Sequence, residues 1–297
     1  MSRILIVGGD MRNVCLARML REKGCDVGIC GINADIFSPG EATVFSNVKK
    51  CVSDAEIIIL PLIMSADNIT VNTPLFDGCI YLRDICQNAG KDALVFGGRV
   101  NSSVFNDYDI KIHDYAIRDD FASLNAVPTA EGAIEAVMKI LPVTIFSSKI
   151  LVTGFGKCAK VLSLTLRAMG ADVWISARGI HDLSLAEAFG MNTVHISDMH
   201  RSLGDFDAVF NTIPHTVFKL RELSAMKEET PLIDIASSPG GAERALVREC
   251  KIKYMFLPGI PGKYSPVTAA EIILKTIVNI IVENGKDAKQ WIYGEKG

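Results

Sequence analysis

Lys149-Ile-Leu-Val-Thr-Gly-Phe-Gly-Lys-Cys-Ala159 runs an apolar stretch, Ile150 to Val152, into a Gly154-x-Gly156-x-x-Ala159 spacing in mid-chain. That spacing suits phosphate chemistry. Gly154 permits a tight turn, and Gly156 lets backbone N–H groups approach a pyrophosphate at the positive end of a helix. Ala159, in place of a third glycine, still allows close helix–strand packing. Phe155, Lys157 and Cys158 complete the turn, and a periodic run follows with Val161, Leu162, Leu164, Thr165, Ala168 and Met169 on one side. After Gly170 a second strand-like segment runs from Asp172 to Arg178. Strand, turn, helix and strand in this order are the context that turns a glycine pattern into a dinucleotide site.

The end of the second strand bears on which dinucleotide. An NAD site places an acid about 20 residues on, to bind the ribose 2′-hydroxyl. Here the strand ends Ser176-Ala177-Arg178-Gly179, without an acid. Arg178 offers a guanidinium and Ser176 a hydroxyl to a 2′-phosphate, so NADP is expected over NAD. Cys158 sits near a helix N-terminus, which can lower a thiol pKa, yet it reads more simply as a small residue tolerated beside the phosphates.

Three further loops follow strand-like runs, where an open α/β sheet places its ligands. Asn211-Thr-Ile-Pro214 is expected to meet the nicotinamide or its ribose, a simple Asn/Pro turn being the alternative. Ser237-Ser-Pro-Gly-Gly241 is read as an anion-binding nest in which Ser237, Ser238, Gly240 and Gly241 contribute. Leu257-Pro-Gly-Ile-Pro-Gly262 adds Pro258 and Gly259 to the cofactor side. For a small anionic substrate the candidates are Asp10, Arg12 and Arg118, with a surface ion pair as the other account of Arg118. No acid–base pair stands out: His215 is the best-placed histidine, and the catalytic residues are not assigned. No metal-binding spacing is present.

The elements that must position these residues alternate strand and helix in both halves, the pattern of doubly wound parallel sheets. In the first half, strands are expected near Arg3–Val7, Cys25–Cys30, Ala55–Leu60 and Ala93–Phe96, with a shorter strand or loop at Ile110–Tyr115. Gly8-Gly9-Asp10 lacks the dinucleotide spacing, so only the second half carries a cofactor turn. The chain is expected to divide into an N-terminal substrate domain (1–125), a Rossmann NADP-binding domain (126–283) and a tail (284–297). Linking helices at about 129–141, capped by Thr129, and at 266–283 are expected to bridge the domains, with the substrate cleft between them.

Composition narrows the classes. A chain of 297 residues with 49% apolar content can bury two cores, and a net charge of −3 gives no basic footprint for nucleic acid. The runs Ile57–Met64 and Ile272–Val282 are too short or too interrupted to span a membrane. Met1-Ser-Arg-Ile leads straight into a strand, so no leader is expected. The 8 cysteines lack metal or disulfide spacing and fit a reducing cytoplasm. The tail, polar apart from Trp291, Ile292 and Tyr293, is read as loosely ordered or packed on a partner. Homo-oligomerisation is left open.

Taken together, these motifs resemble the family of A-type subunits of dipicolinate synthase. The resemblance is carried by Val7-Gly-Gly-Asp10 with Arg12, Arg118-Asp-Asp120, Pro128-Thr-x-Glu-Gly132, Gly154-Phe-Gly156-Lys, Ala177-Arg178 and Asn211-Thr-Ile-Pro214. It continues through Asp234-Ile-Ala-Ser, Pro239-Gly-Gly241, Leu257-Pro-Gly-x-Pro-Gly262 and Pro266-x-Thr-Ala, from residue 4 to about 283. It implies an enzyme of spore-forming bacteria, acting in the mother cell. Such an enzyme makes dipicolinate from a dihydrodipicolinate-type intermediate of the lysine route, with a nicotinamide cofactor. Its implied partner is the smaller, flavoprotein-like B-type subunit of dipicolinate synthase. The cofactor half also resembles shikimate and methylene-tetrahydrofolate dehydrogenases, but the first half offers no Lys/Asp catalytic pair. An NADP-sensing regulatory subunit is the reading from a different class.

Overall fold

The computed structural model describes residues 3–287; Trp291, Ile292 and Tyr293 lie outside them. The chain divides into two compact units. One is built from the residues up to Leu124 together with the segment from Pro266 onward, the other is Asn125–Ser265.

In the first unit, β1 (Arg3–Val7), β2 (Asp26–Cys30), β3 (Thr43–Phe45), β4 (Ile57–Ile59), β5 (Leu94–Gly97) and β6 (Ile112–Asp114) form a six-stranded sheet of order β3-β2-β1-β4-β5-β6. Every pairing is parallel. Helices α1 (Met11–Glu22), α2 (Val48–Ser53) and α3 (Leu82–Asn88) connect them. Sheets buried on both faces read as continuous apolar runs, and Ile57 to Leu60 is fully buried for that reason. The edge strand β3 carries no such run, and nothing in its sequence announces it.

α4 (Asp119–Met138) begins ten residues before the expected start and runs straight through Pro128 and Gly132. Thr129 is therefore no cap; its hydroxyl donates to the Asn125 carbonyl one turn back at 2.7 Å. Gly132 breaks nothing either. A Cβ there would stand 2.3 Å from Ile260 Cγ2, so the glycine permits close packing rather than a turn.

The second unit repeats the topology. β7 (Lys149–Thr153), β8 (Asp172–Ala177), β9 (Asn192–His195), β10 (Ala208–Asn211), β11 (Leu232–Asp234) and β12 (Tyr254–Phe256) form a parallel sheet of order β12-β11-β10-β7-β8-β9. Helices α5 (Lys157–Ala168), α6 (Ile180–Ala188), α7 (Leu220–Ser224), α8 (Arg244–Glu249) and α9 (Ile260–Tyr264) flank it. The buried face of α5 is Ala159, Leu162, Ser163 and Leu166, not the face with Leu164 and Met169, which is exposed. Ser163 tolerates burial because its hydroxyl donates to the Ala159 carbonyl at 2.6 Å.

α10 (Pro266–Glu283) belongs with the first unit, contrary to its expected place in the second. Its Ala270, Ile273, Ile277 and Ile281 join Leu16 and Leu20 of α1 in one core, and that apolar stripe decides its place. Two parallel sheets, each wound in Rossmann order, thus bear out the expected α/β class.

Candidate functional site

β7 ends at Thr153 and the chain turns at Gly154, whose φ of +86° is the left-handed region that favours glycine. A Cβ there would also meet Thr212 Oγ1 at 2.6 Å. Gly156 is different: its φ of −76° suits any residue, and a Cβ built on it meets nothing within 4 Å. The space before the α5 N-terminus is open, as a bound pyrophosphate requires. The equivalent turn of the first unit is closed by the protein itself. A Cβ on Gly8 would lie 2.9 Å from the Asn72 carbonyl, and one on Gly9 would lie 2.2 Å from Asn13 Oδ1. The same strand order therefore leaves one open glycine turn, not two.

Beside this turn lies a cavity of about 460 Å³ lined by Gly154, Phe155, Arg178, Asp182, Ile213 and His215, among others. That volume falls in the range of ligand sites. Arg178 is exposed at the end of β8, and its guanidinium has no ion-pair partner among the described residues. Its carbonyl lies 3.2 Å from His195 Nε2, which ties down the backbone there. Ser176 does not join it: the side chain is fully buried, with its hydroxyl 3.6 Å from the Met199 sulfur. Alternation would put Ser176 and Arg178 on one face, but the strand ends at Ala177 and Arg178 leaves the pleat. Asp182 is a residue that sequence reasoning missed. It stands in the first turn of α6, four positions beyond Arg178, and brings a carboxylate to the cavity that the strand-end rule does not look for. Cys158 is not activated, since burial pushes its thiol up against the pull of the Lys157 charge.

Asn211 is fully buried and has no donor or acceptor left for a ligand. Its Nδ2 donates to the Ile213 carbonyl (3.0 Å) and to Asp234 Oδ1 (2.8 Å). Its Oδ1 accepts from Thr153 Oγ1 (2.7 Å) and from the Ile213 N–H (3.1 Å). Thr212 likewise donates its hydroxyl to the Thr153 carbonyl at 2.7 Å. Asn211 thus positions the loop, contrary to the ligand role expected of it. Ile213 does reach the cavity wall, while Pro214 is exposed beyond it.

The Ser237–Gly241 loop is turned inward for the same reason. Asp234, also fully buried, accepts from the Gly241 N–H (2.7 Å), the Tyr254 hydroxyl (2.8 Å) and the Ala236 N–H (3.1 Å), as well as from Asn211. Gly240 N–H goes to the Ser237 carbonyl at 3.0 Å. The expected anion nest is thus filled by the protein's own carboxylate; Ser237 and Ser238 keep exposed side chains. Burial and the bond to Asp234 raise the Tyr254 pKa well above its usual value, so its hydroxyl stays a donor. The Asp234-Ile-Ala-Ser run marks the residue, but its role appears only when β7, β10, β11 and β12 stand side by side.

Pro258 and Gly259 follow β12 at the sheet edge, with β11 and β10 between them and β7. Pro258 lines a different cavity, and Gly259 is exposed. In the first unit, Asp10 caps α1 through the Arg12 N–H (3.1 Å) and takes the buried Arg12 guanidinium at 2.9 and 2.6 Å. Burial alone would raise the Asp10 carboxyl, but the Arg12 bonds and charge outweigh it and hold it low. Arg118 is spent as well. It donates to Asp120 at 2.9 and 3.0 Å and to Glu283 at 2.6 and 2.8 Å, tying the start of α4 to the end of α10. The ion-pair account of Arg118 is the one these distances describe. Among the described residues no His/Cys/Asp/Glu group could hold a metal, and no helix is long and apolar enough to cross a membrane.

Strand order, the glycine turn and the open helix end define the second unit as a Rossmann-type domain, in a chain of two such sheets. Residues 3–116 match the family of dipicolinate synthase A N-terminal domains. The chain is 28% identical to dipicolinate synthase A of Bacillus subtilis (strain 168) over 291 residues, covering 95% of this chain and 96% of that protein. It superposes on the crystal structure of dipicolinate synthase A from Bacillus halodurans with a TM-score of 0.85 at 28% identity, covering 94% and 97% of the two chains. The resemblance to that family is thereby borne out along the chain. An L-alanine dehydrogenase, 14% identical with a TM-score of 0.63 over 96% of this chain and 91% of that one, shares the fold alone.

Proposed function

We propose that this chain is an NADP-dependent oxidoreductase subunit that forms dipicolinate from a dihydrodipicolinate-type intermediate of the lysine route. The same reading makes it a sporulation protein of the mother-cell cytoplasm, working beside the flavoprotein-like B-type subunit of the synthase. The observation that carries it is the open space before Gly156, next to a cavity that presents Arg178, unpaired among the described residues. Similarity to dipicolinate synthase A over 95% of the chain supports the substrate class.

The residues present fit a dinucleotide. Gly156 and the first N–H groups of α5 would hold the pyrophosphate, Arg178 the 2′-phosphate, and Phe155 and Ile213 the apolar wall of the cavity. When bound, the nicotinamide ring supplies a hydride acceptor. Asn211 and Asp234 keep the loop after β10 rigid, which fixes what that loop presents to a ligand. Dihydropyridine oxidation removes one hydride and one proton and gains aromaticity, so the sparse acid–base inventory is compatible with it. Carboxylate binding is assigned to the Ser237–Gly241 loop through the exposed Ser238 side chain. Arg12 and Arg118 are left out because Asp10 occupies the first guanidinium and Asp120 and Glu283 the second.

Internal bonds use up several donors expected to hold substrate, and this favours one rival, an NADP-sensing subunit without turnover of its own. Incubation with NADP⁺ and enzymatically generated dihydrodipicolinate, with and without the flavoprotein-like partner, separates the two. NADPH and dipicolinate formed in equal amounts are the expected result. Dinucleotide binding without turnover in either mixture would establish the rival.

A further inference from the structure

The second unit holds a larger cavity, about 760 Å³, whose lining shares no residue with the cofactor cavity. Four of its lining residues are cations: Arg244 and Arg248 of α8, Lys251 just beyond it, and Lys263 of α9. No Asp or Glu lines it. Arg244 and Arg248 are one helical turn apart and so share a face of α8. Among the described residues Arg244, Arg248 and Lys263 have no ion-pair partner, and Lys251 has only Glu228 at 3.9 Å, with both side chains largely exposed. In a chain of net charge −3, this clustering of cations does not follow from composition.

The cavity also has a built wall. Tyr254 and Phe256 alternate along the edge strand β12 and line one side, with Pro258 at its end. The Arg244 guanidinium lies 5.5 Å from the centroid of the Phe256 ring, and the Tyr254 hydroxyl is anchored to Asp234. Lys251 takes a φ of +56°, a left-handed position after a helix that favours glycine or asparagine, and there its side chain joins the cavity lining.

We infer that this cavity is a second site, selective for a small multivalent anion. Planar guanidinium groups match carboxylate and phosphate oxygens, and the aromatic wall accepts a flat ring. The four cations repel one another until an anion arrives, which adds to the selectivity for ligands of two or more negative charges. A polycarboxylate and a polyphosphate share this chemistry.

Calorimetric titration of the full chain at low ionic strength, with benzene-1,3,5-tricarboxylate and with tripolyphosphate, tests the site. At least one of the two is expected to bind with one-to-one stoichiometry, and which one does so names the source of the ligand. Arg244→Gln combined with Arg248→Gln should weaken that binding about tenfold or more, while Arg178→Ala leaves it unchanged. Both arginines are exposed, and unchanged circular dichroism of the double variant will show that it folds. Affinity should also fall as salt rises. Binding that survives the double substitution would overturn the inference. So would binding lost only with Arg178→Ala, which would put the anion in the cofactor cavity, or failure of both probes to bind.

Discussion

Asn211 donates its amide to the carboxylate of Asp234 at 2.8 Å, and neither side chain is reachable by solvent. Through that bond the loops after β10 and β11 are held as one piece. A buried carboxylate without a cationic partner survives here because four donors converge on its two oxygens. Asp234→Ala strands the Asn211 amide and the Gly241 and Ala236 N–H groups, each a buried group with an unmet bond, and releases the half-buried Tyr254 hydroxyl. The expected cost is ~3–5 kcal/mol of stability in the second unit. Urea unfolding followed by tryptophan fluorescence reads it, and a loss below about 1 kcal/mol would show that the network carries little.

The two glycines of the turn should separate folding from binding. Gly156→Val puts its side chain into open space, so thermal stability should barely change while dinucleotide binding is lost. Gly154→Ala faces a φ of +86° and Thr212 Oγ1 at 2.6 Å, and should destabilise the fold. Melting curves set beside NADPH fluorescence titrations check both. Retained NADPH binding in Gly156→Val would move the site elsewhere.

Arg178 and Asp182 should pull cofactor choice in opposite directions. Arg178→Ala is expected to weaken NADP binding roughly 10- to 100-fold, the equivalent of ~1.5–3 kcal/mol of lost charged bonds, with little effect on NAD. Asp182→Asn removes a carboxylate from the same cavity and should shift preference further toward NADP. Comparing Kd values for both cofactors in the three proteins decides it; equal affinities in the unmodified chain would refute the proposed NADP preference.

Arg118 should reveal itself in acid stability and not in substrate binding. Its bonds hold the Asp120 and Glu283 carboxyls below their ordinary values. Groups depressed in the folded state contribute stability fully above their unfolded values, about 4, and lose it as pH falls through the lower folded values. Arg118→Ala should therefore be less stable than the parent near neutrality and converge with it toward acid. Melting temperatures between neutral pH and strong acid test this, and a constant difference at all pH values would exclude the linkage.

Much of this was legible along the chain, because it is local. The apolar runs of β1, β4, β7 and β10, and the glycine spacing after β7, depend on neighbours a few positions apart, and they specified two doubly wound sheets and one open glycine turn. Short edge strands such as β3 and β9 carry little apolar signal and escaped. The expected start of α4 at Thr129 falls ten residues late, and the packing that Gly132 serves, against Ile260, lies more than a hundred positions away.

What only the tertiary structure decided is which polar groups are free. Arg118 looked available until Glu283, 165 positions on, took its guanidinium. Asn211 looked like a ligand until Asp234, 23 positions on, took its amide. A side chain's type is written in the sequence, but each donor and acceptor is satisfied only once, by whichever partner the fold brings within reach.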